Sequence, residues 1–415
     1  MRTALTLTLF VVTLVLVVRR ARGIGSAWWA SIGAAVALAL GLVRPPQAWA
    51  VTMVARDALL FLLALLLLSG LLEASRFFEW AAVLAAHSAR TGTALLRNVL
   101  ILGTLITTVL SLDTTAVILT PLVVAAAHRL AIPARPYVLA CAFVSNVASL
   151  LLPVSNLTNL LLAAHLPAAG FARAMALPQL LTLLVLWAGL RFACRRDLEA
   201  RFDPNRLPPA WHMVLDRPYF LAACAVLVGV LVGYFAGPLF GIPIWAVTFA
   251  GVALLGLAAA VRGQLTRQTF RHLSLELFPF VIGLFVLVQA VENLGLEAPL
   301  VDWLRRPRPA WEALSGMVAV STLASSTLNN LPATLLVRGV LRQVSSSPAW
   351  LHAALLGTNV GSCLTPHGSL ATLLVLSIAT RRGVPTRGRD VVRVAIWIVP
   401  AMLVVGLIAL VSAEP

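Results

Sequence analysis

The sequence predicts an all-α polytopic membrane protein made of two inverted repeats, each with about five transmembrane helices and one re-entrant hairpin. Three observations predict it. Apolar residues make up 60% of the 415 residues and charged residues only 11%, far from the mix of a soluble domain. The basic residues, all of them arginine, sit in loops between oily segments, which is the orientation signal of a membrane protein. Two proline-containing polar segments, one in each half of the chain, match residue for residue.

Charge and cysteine usage narrow the function. A net charge of +16 carried by interhelical loops points to a lipid bilayer rather than to nucleic acid. Cys141, Cys194, Cys224 and Cys363 are far apart and have no paired spacing, so neither a disulfide framework nor a zinc site is expected. No cofactor is implied. There is no His-Glu-x-x-His pattern or nucleophile–base pairing, so an intramembrane enzyme is a weaker reading than a transporter.

Segments 3–18, 27–43, 54–72, 136–165, 176–192, 218–236, 242–261, 275–295, 350–380 and 391–412 are expected to span the membrane. Arg19-Arg20-Ala21-Arg22 is no small-residue cleavage site, so residues 3–18 are the first span rather than a signal peptide. A crossing helix needs about 20 apolar residues. The regions 93–127 and 309–343 are interrupted by polar tips and lack two full-length arms, so each is expected to form a re-entrant hairpin.

With both termini outside the inner membrane, 22 of the 31 arginines fall on the cytoplasmic side, as the positive-inside rule requires. The hydrophilic stretch around 193–217 becomes a cytoplasmic linker between a first repeat, 1–192, and a second, 218–415. Five spans per half is an odd number, so the second repeat is inserted upside down relative to the first, as in secondary transporters. Segments 73–92 and 262–276 are charged on one side and apolar on the other, and are expected to lie along the interface.

The repeat is visible in the residues. Segment 145–162, within the long span 136–165, aligns without a gap on 358–375, within 350–380. Asn146 meets Asn359, Ser149 meets Ser362 and Pro153 meets Pro366; eight of the 18 positions are identical. Proline removes a backbone donor and clashes with the preceding turn, so Pro153 and Pro366 are expected to mark breaks near the membrane centre. Ser155, Asn156, Thr365 and Ser369 are placed to satisfy the freed backbone groups.

One hairpin tip carries Asp113, a lone carboxylate in oily surroundings. A charge at the bilayer centre costs about 2.5–3.5 kcal/mol on insertion scales, so such a residue is a functional candidate by default. It could also cap the helix that follows it. The other tip reads Ser325-Ser326-Thr327-Leu328-Asn329-Asn330. Two tips and two breaks are expected to converge on a pocket rich in hydroxyls and amides and poor in cations. A dicarboxylate would call for Arg or Lys there, and the nearest candidate, Arg338, is expected to face outer water. The pocket suits a small, neutral, hydroxyl-bearing solute.

At these residues the chain resembles the membrane subunit of arsenical pumps, a branch of the ion transporter superfamily. Asp113-Thr114-Thr115-Ala116-Val117-Ile118-Leu119-Thr120-Pro121 is similar to that family's first hairpin. Ala148-Ser149-Leu150-Leu151-Leu152-Pro153-Val154-Ser155-Asn156-Leu157-Thr158-Asn159 is similar to its first break. Leu328-Asn329-Asn330-Leu331-Pro332-Ala333-Thr334 and Leu364-Thr365-Pro366-His367-Gly368-Ser369-Leu370-Ala371-Thr372-Leu373-Leu374 resemble its second hairpin and second break. The chain departs from the family at Leu112, Thr114, His367 and the position of Pro153, which bears on substrate choice more than on fold.

The resemblance implies efflux of arsenite and antimonite as neutral trihydroxides, exchange for protons, optional coupling to a cytosolic arsenical-pump ATPase, and an elevator-type motion. On that reading Asp113 carries the proton. Thr114, Thr115, Asn146, Ser149, Ser155, Asn156, Asn159, Ser326, Thr327, Asn329, Asn330, Asn359, Ser362, Thr365, His367 and Ser369 surround the solute. Cys363 offers a thiol to arsenic, although a small packing residue is the plainer reading. No metal ion other than the metalloid substrate is expected. The rivals are a sodium- or proton-coupled carboxylate carrier of the same superfamily and a passive pore for neutral solutes.

Overall fold

The computed structural model describes residues 1–19, 25–163, 166–266, 269, 273, 275–344 and 347–413. Arg20, Ala21 and Arg22, and much of the segment 262–276 expected along the interface, lie outside these.

The first half opens with α1 (Arg2–Arg19), α2 (Ser26–Ala39), α3 (Pro45–Val54), α4 (Arg56–Ala74) and α5 (Phe77–His87). It continues with α6 (Gly92–Val109), α7 (Leu112–Thr114), a π-helical turn Thr115–Leu119 and α8 (Thr120–Arg129). Next come α9 (Arg135–Val147), α10 (Leu157–Ala163), α11 (Ala168–Ala193) and α12 (Arg195–Leu198). The second half holds α13 (Arg217–Ala236), α14 (Ile244–Val261), α15 (Leu277–Glu292), α16 (Ala298–Arg305), α17 (Ala310–Leu328) and α18 (Asn330–Val344). It ends with α19 (Pro348–Gly361), α20 (Leu370–Arg381) and α21 (Gly388–Ala413). Among the described residues α4, α6, α11, α13, α14 and α21 are long and apolar enough to cross a membrane.

The chain doubles back at Leu110–Ser111. In a continuous α-helix, residues eight apart are separated by about 12 Å, yet the hydroxyls of Thr107 and Thr115 are 2.7 Å apart. Asn329 makes the second turn with a left-handed φ of 85°, and α17 and α18 pack together beyond it. The span expected at 176–192 starts earlier, at Ala168, and carries Pro178 inside the helix.

Packing between the halves is reciprocal. α2 lies on α15 and α14 lies on α4, while α11 and α21 pack on each other. At the centre, every residue of α9 from Pro136 to Val147 is buried, and so is every residue of α19 from Leu351 to Gly361. A helix buried all round is core, so its polar groups must find partners inside the protein. α14 is the opposite case: Leu254, Leu257 and Val261 are exposed on a helix of membrane-crossing length.

Two glycine contacts set how closely hairpin and broken helix approach. A Cβ on Gly103 of α6 would come within 2.6 Å of Val144 on α9. In the second half the glycine is on the broken helix: a Cβ on Gly357 of α19 would come within 2.6 Å of Ser321 and of the Val318 carbonyl on α17. Val144 and Gly357 stand one residue before the ungapped alignment, at the same offset of 213, so the small residue is on the hairpin in one half and on the broken helix in the other.

Candidate functional site

The two breaks share one backbone course. α9 passes into a 3₁₀ turn at Ala148–Leu150 and α19 into one at Ser362–Leu364. Leu152 (φ −125°, ψ 149°) and Thr365 (φ −129°, ψ 148°) are extended, and Pro153 and Pro366 each start a second 3₁₀ turn. Asn156 (φ −150°, ψ 142°) and Ser369 (φ −141°, ψ 136°) are extended again before α10 and α20 begin. From Leu152 and Thr365 onward every pair differs by the same 213 positions, while the first turns are offset by 214. Each proline sits at the start of a short turn, where its missing N–H costs no hydrogen bond.

The carbonyls released at a break must be paired, because a buried unpaired backbone group costs as much as a lost hydrogen bond. The hairpins and the breaks share the donors. Thr108 donates to the Ala148 carbonyl at 3.2 Å, and Ser155 donates back to the Thr108 carbonyl at 2.9 Å. In the second half Thr365 donates to the Ser326 carbonyl, and Asn329 Nδ2 to the His367 carbonyl at 2.9 Å. Ser149 and Ser362 each donate to the carbonyl three residues back, on Asn146 and Asn359, at 2.7 and 2.8 Å. Asn159 Nδ2 closes the first break by donating to the Ser149 and Leu152 carbonyls.

The matching asparagines at the helix ends have different surroundings. Both ends of the Asn359 amide are engaged: its Oδ1 accepts from Asn156 Nδ2 at 3.0 Å and Thr158 Oγ1 at 2.9 Å, and its Nδ2 donates to Asn159 Oδ1 at 2.8 Å. Asn146 Nδ2 donates to the Ala142 carbonyl at 3.2 Å and to Thr372 Oγ1 at 3.3 Å. These bonds fix the amide orientation and leave Asn146 Oδ1 buried without a partner. The residue matching Asn156 is Ser369, and its Oγ is also buried without a partner. The first half's asparagine therefore lacks the bond that its counterpart makes. Asn146 Oδ1 and Ser369 Oγ are two of eight buried side-chain atoms without a partner among the described residues, and each such group calls for an explanation.

Ser369 lies in the wall of a cavity of about 30 Å³ that also touches Asp113, Asn156 and Asn330. Each hairpin and each break contributes one of these four polar side chains. The rest of the wall is apolar, with Leu62, Leu112, Leu157, Leu277, Val281, Leu331 and Leu370. Asp113 also borders a second cavity of about 40 Å³, which Ser69, Glu73 and Thr114 line. Its carboxylate makes no hydrogen bond or ion pair among the described residues. The cap of the helix is Ser111, whose Oγ accepts from the Thr114 amide at 3.1 Å. Asp113 is thus not the cap, which corrects the alternative reading of that residue.

The remaining sequence-selected residues form two groups, with Thr327 and Cys363 outside both. Thr115, Ser149, Ser155 and Ser362 are buried and bonded within the framework, as is Asn159. Ser326, Asn329, Thr365 and His367 join the second tip to the second break. Thr327 is exposed and bonds its own helix at the Leu323 carbonyl. Cys363 is buried behind Asn359 and is not in the cavity wall. Thr158, Thr372 and Ser69 were missed. The alignment held the signal for Thr372, which stands opposite Asn159. Among the described residues no His, Cys, Asp and Glu cluster could hold a metal ion.

A family model described as "Arsenical pump membrane protein" matches residues 5–412. The chain is 30% identical over 395 residues to an "Arsenical pump membrane protein" of Escherichia coli, with 90% of each chain covered. It is 31% identical over 392 residues to one from Yersinia enterocolitica, again over 90% of each. Among solved structures, the Alcanivorax borkumensis YdaH transporter aligns with a TM-score of 0.57 over 84% of each chain at 16% identity, a likeness of fold.

Proposed function

Because the chain belongs to the arsenical pump membrane protein family, we propose that it exports arsenite and antimonite from the cytoplasm as neutral trihydroxides, in exchange for protons carried by Asp113. The observation that carries this reading is the cavity where Asp113, Asn156, Asn330 and Ser369 meet. Its polar groups are hydroxyl, amide and carboxylate. No arginine or histidine is in its wall, so a carboxylate solute would be bound without a counter-charge. A trihydroxide offers three O–H donors, which suits the unpaired Ser369 Oγ in the cavity wall; the unpaired Asn146 Oδ1 lies outside that wall.

A volume of about 30 Å³ is close to one water's share of the liquid. A metalloid trihydroxide is larger, so the hairpin tips must part to admit it. We assign this motion to an elevator-type cycle of the hairpins and broken helices, with the two halves inserted in opposite senses. Coupling to a cytosolic ATPase is an optional addition to the same cycle.

Arsenite accumulation in everted membrane vesicles tests the reading. Accumulation that needs a proton gradient and collapses with a protonophore is expected. Equilibration without accumulation would identify a passive pore, and dependence on sodium would identify a carrier of the other kind.

A further inference from the structure

We propose that the cleft where the start of α9, the α11–α12 junction and the start of α21 meet binds the phosphate headgroup of an anionic phospholipid. The cleft has a volume of about 500 Å³ and its wall includes Arg135, Arg195, Arg196 and Arg393, against one carboxylate, Asp197. Arg135 spends part of its charge on Asp390, at 2.9 Å. The Arg195 guanidinium lies over the Phe192 ring at 5.8 Å, an arrangement that leaves its charge unneutralised. Arg196 and Arg393 have no ion pair among the described residues. The cleft is therefore a concentration of positive charge with unused donors, and guanidinium groups match phosphate oxygens in geometry.

The surroundings select a lipid over a free anion. Phe192 and Trp397 meet edge to face at 5.9 Å beside the arginines, and both are exposed, at 67% and 41%. Aromatic side chains of this kind sit at the headgroup level of a bilayer. Beyond them α11 and α21 expose Leu180, Leu184, Ile396 and Val404, an aliphatic face on which acyl chains can lie. A basic pocket between helices at the arginine-rich end of such a face has the makeup of a headgroup site. The bound headgroup ties α9, which leads to Asn146, to the paired helices α11 and α21.

The test uses the full-length protein purified in neutral detergent, with added phosphatidylglycerol, phosphatidylcholine or inorganic phosphate. Bound lipid is counted by native mass spectrometry and the unfolding midpoint is followed by heat. Phosphatidylglycerol is expected to remain bound and raise the midpoint, and phosphatidylcholine to do neither. The Arg196→Gln/Arg393→Gln double variant should bind phosphatidylglycerol roughly tenfold more weakly or worse, whereas Arg381→Gln, outside the cleft wall, should bind it normally. If the double variant fails to fold, Arg393→Gln alone is compared by the lipid count. Equal retention of the two lipids, unchanged binding by the cleft variants, or equal protection by inorganic phosphate would each overturn the assignment.

Discussion

Asn156 Nδ2 donates to Asn359 Oδ1 at 3.0 Å, joining the two breaks across 203 positions of sequence. Thr158 shares the same acceptor, and the Asn359 amide continues to Asn159. The first break is thus fastened to the end of α19 by a closed set of side-chain bonds.

Replacing Asn359 by Ala should therefore be a stability lesion. It strands the buried Asn156 Nδ2 donor, at about 1–3 kcal/mol, and leaves Thr158 Oγ1 and Asn159 Oδ1 only their long 3.4 Å bond to each other. Asn146→Ala strands no amide and leaves one hydroxyl, Thr372 Oγ1, without its partner, so it should lower the unfolding midpoint less while weakening arsenite transport. Heat unfolding of the two purified variants measures the difference. Equal midpoints would mean that the Asn359 bonds contribute nothing.

Ser369→Ala removes a hydroxyl that has no partner to lose. The variant should fold as well as the parent and need a higher arsenite concentration for half-maximal efflux. Unchanged concentration dependence in everted vesicles would leave Ser369 Oγ as a structural orphan.

Asp113→Asn should keep the hairpin, because the cap is Ser111. Gradient-driven efflux should disappear while protein level and arsenite binding persist, and Asp113→Glu should retain part of the activity. Ser111→Ala should do the opposite, lowering stability by about 1 kcal/mol with the proton requirement intact. Full efflux by the Asn variant would remove Asp113 from proton exchange.

Gly357→Val should force α17 and α19 apart, since even a Cβ there would meet Ser321 and Val318 at 2.6 Å. Overpacking of this kind costs about 1–3 kcal/mol. Gly229→Ala on α13, where nothing lies within 4 Å, is the tolerated control. Protease sensitivity and the unfolding midpoint should separate them.

Reporter fusions within 193–215 and 381–390 should be cytoplasmic, and fusions at Leu166–Pro167 or at the C-terminus should be outside. A cytoplasmic C-terminus would contradict the arrangement of five spans in each half.

The polar side chains at membrane depth were the most readable part of the sequence. Asn146 and Asn359 need internal partners wherever the bilayer excludes water, and Pro153 and Pro366 interrupt the helix, so their spacing located both breaks. The first tip was found by its charge, but Ser111 as its cap was not, since Ser and Asp serve equally well in that role. α3 lies between the expected spans 27–43 and 54–72, and Pro45-Pro46 does not break it. The proline pair instead opens the helix at positions that need no N–H, with Gln47 accepting from the Arg44 amide at 2.9 Å. Which asparagines face the cavity and which serve the framework depends on pairings across some 200 residues, and one chain's pattern does not contain them.

The unequal surroundings of Asn146 and Asn359 bear on how such a protein can evolve. Where two halves of a chain carry matching features, one can hold the molecule together while the other is released to change. Here the Asn359 copy is committed to its bonds with Asn156, Thr158 and Asn159. The Asn146 copy, with Ser369 and Thr372, has room to vary. Selection for a different metalloid should collect its substitutions around Asn146, Ser369 and Thr372, leaving the other trio untouched.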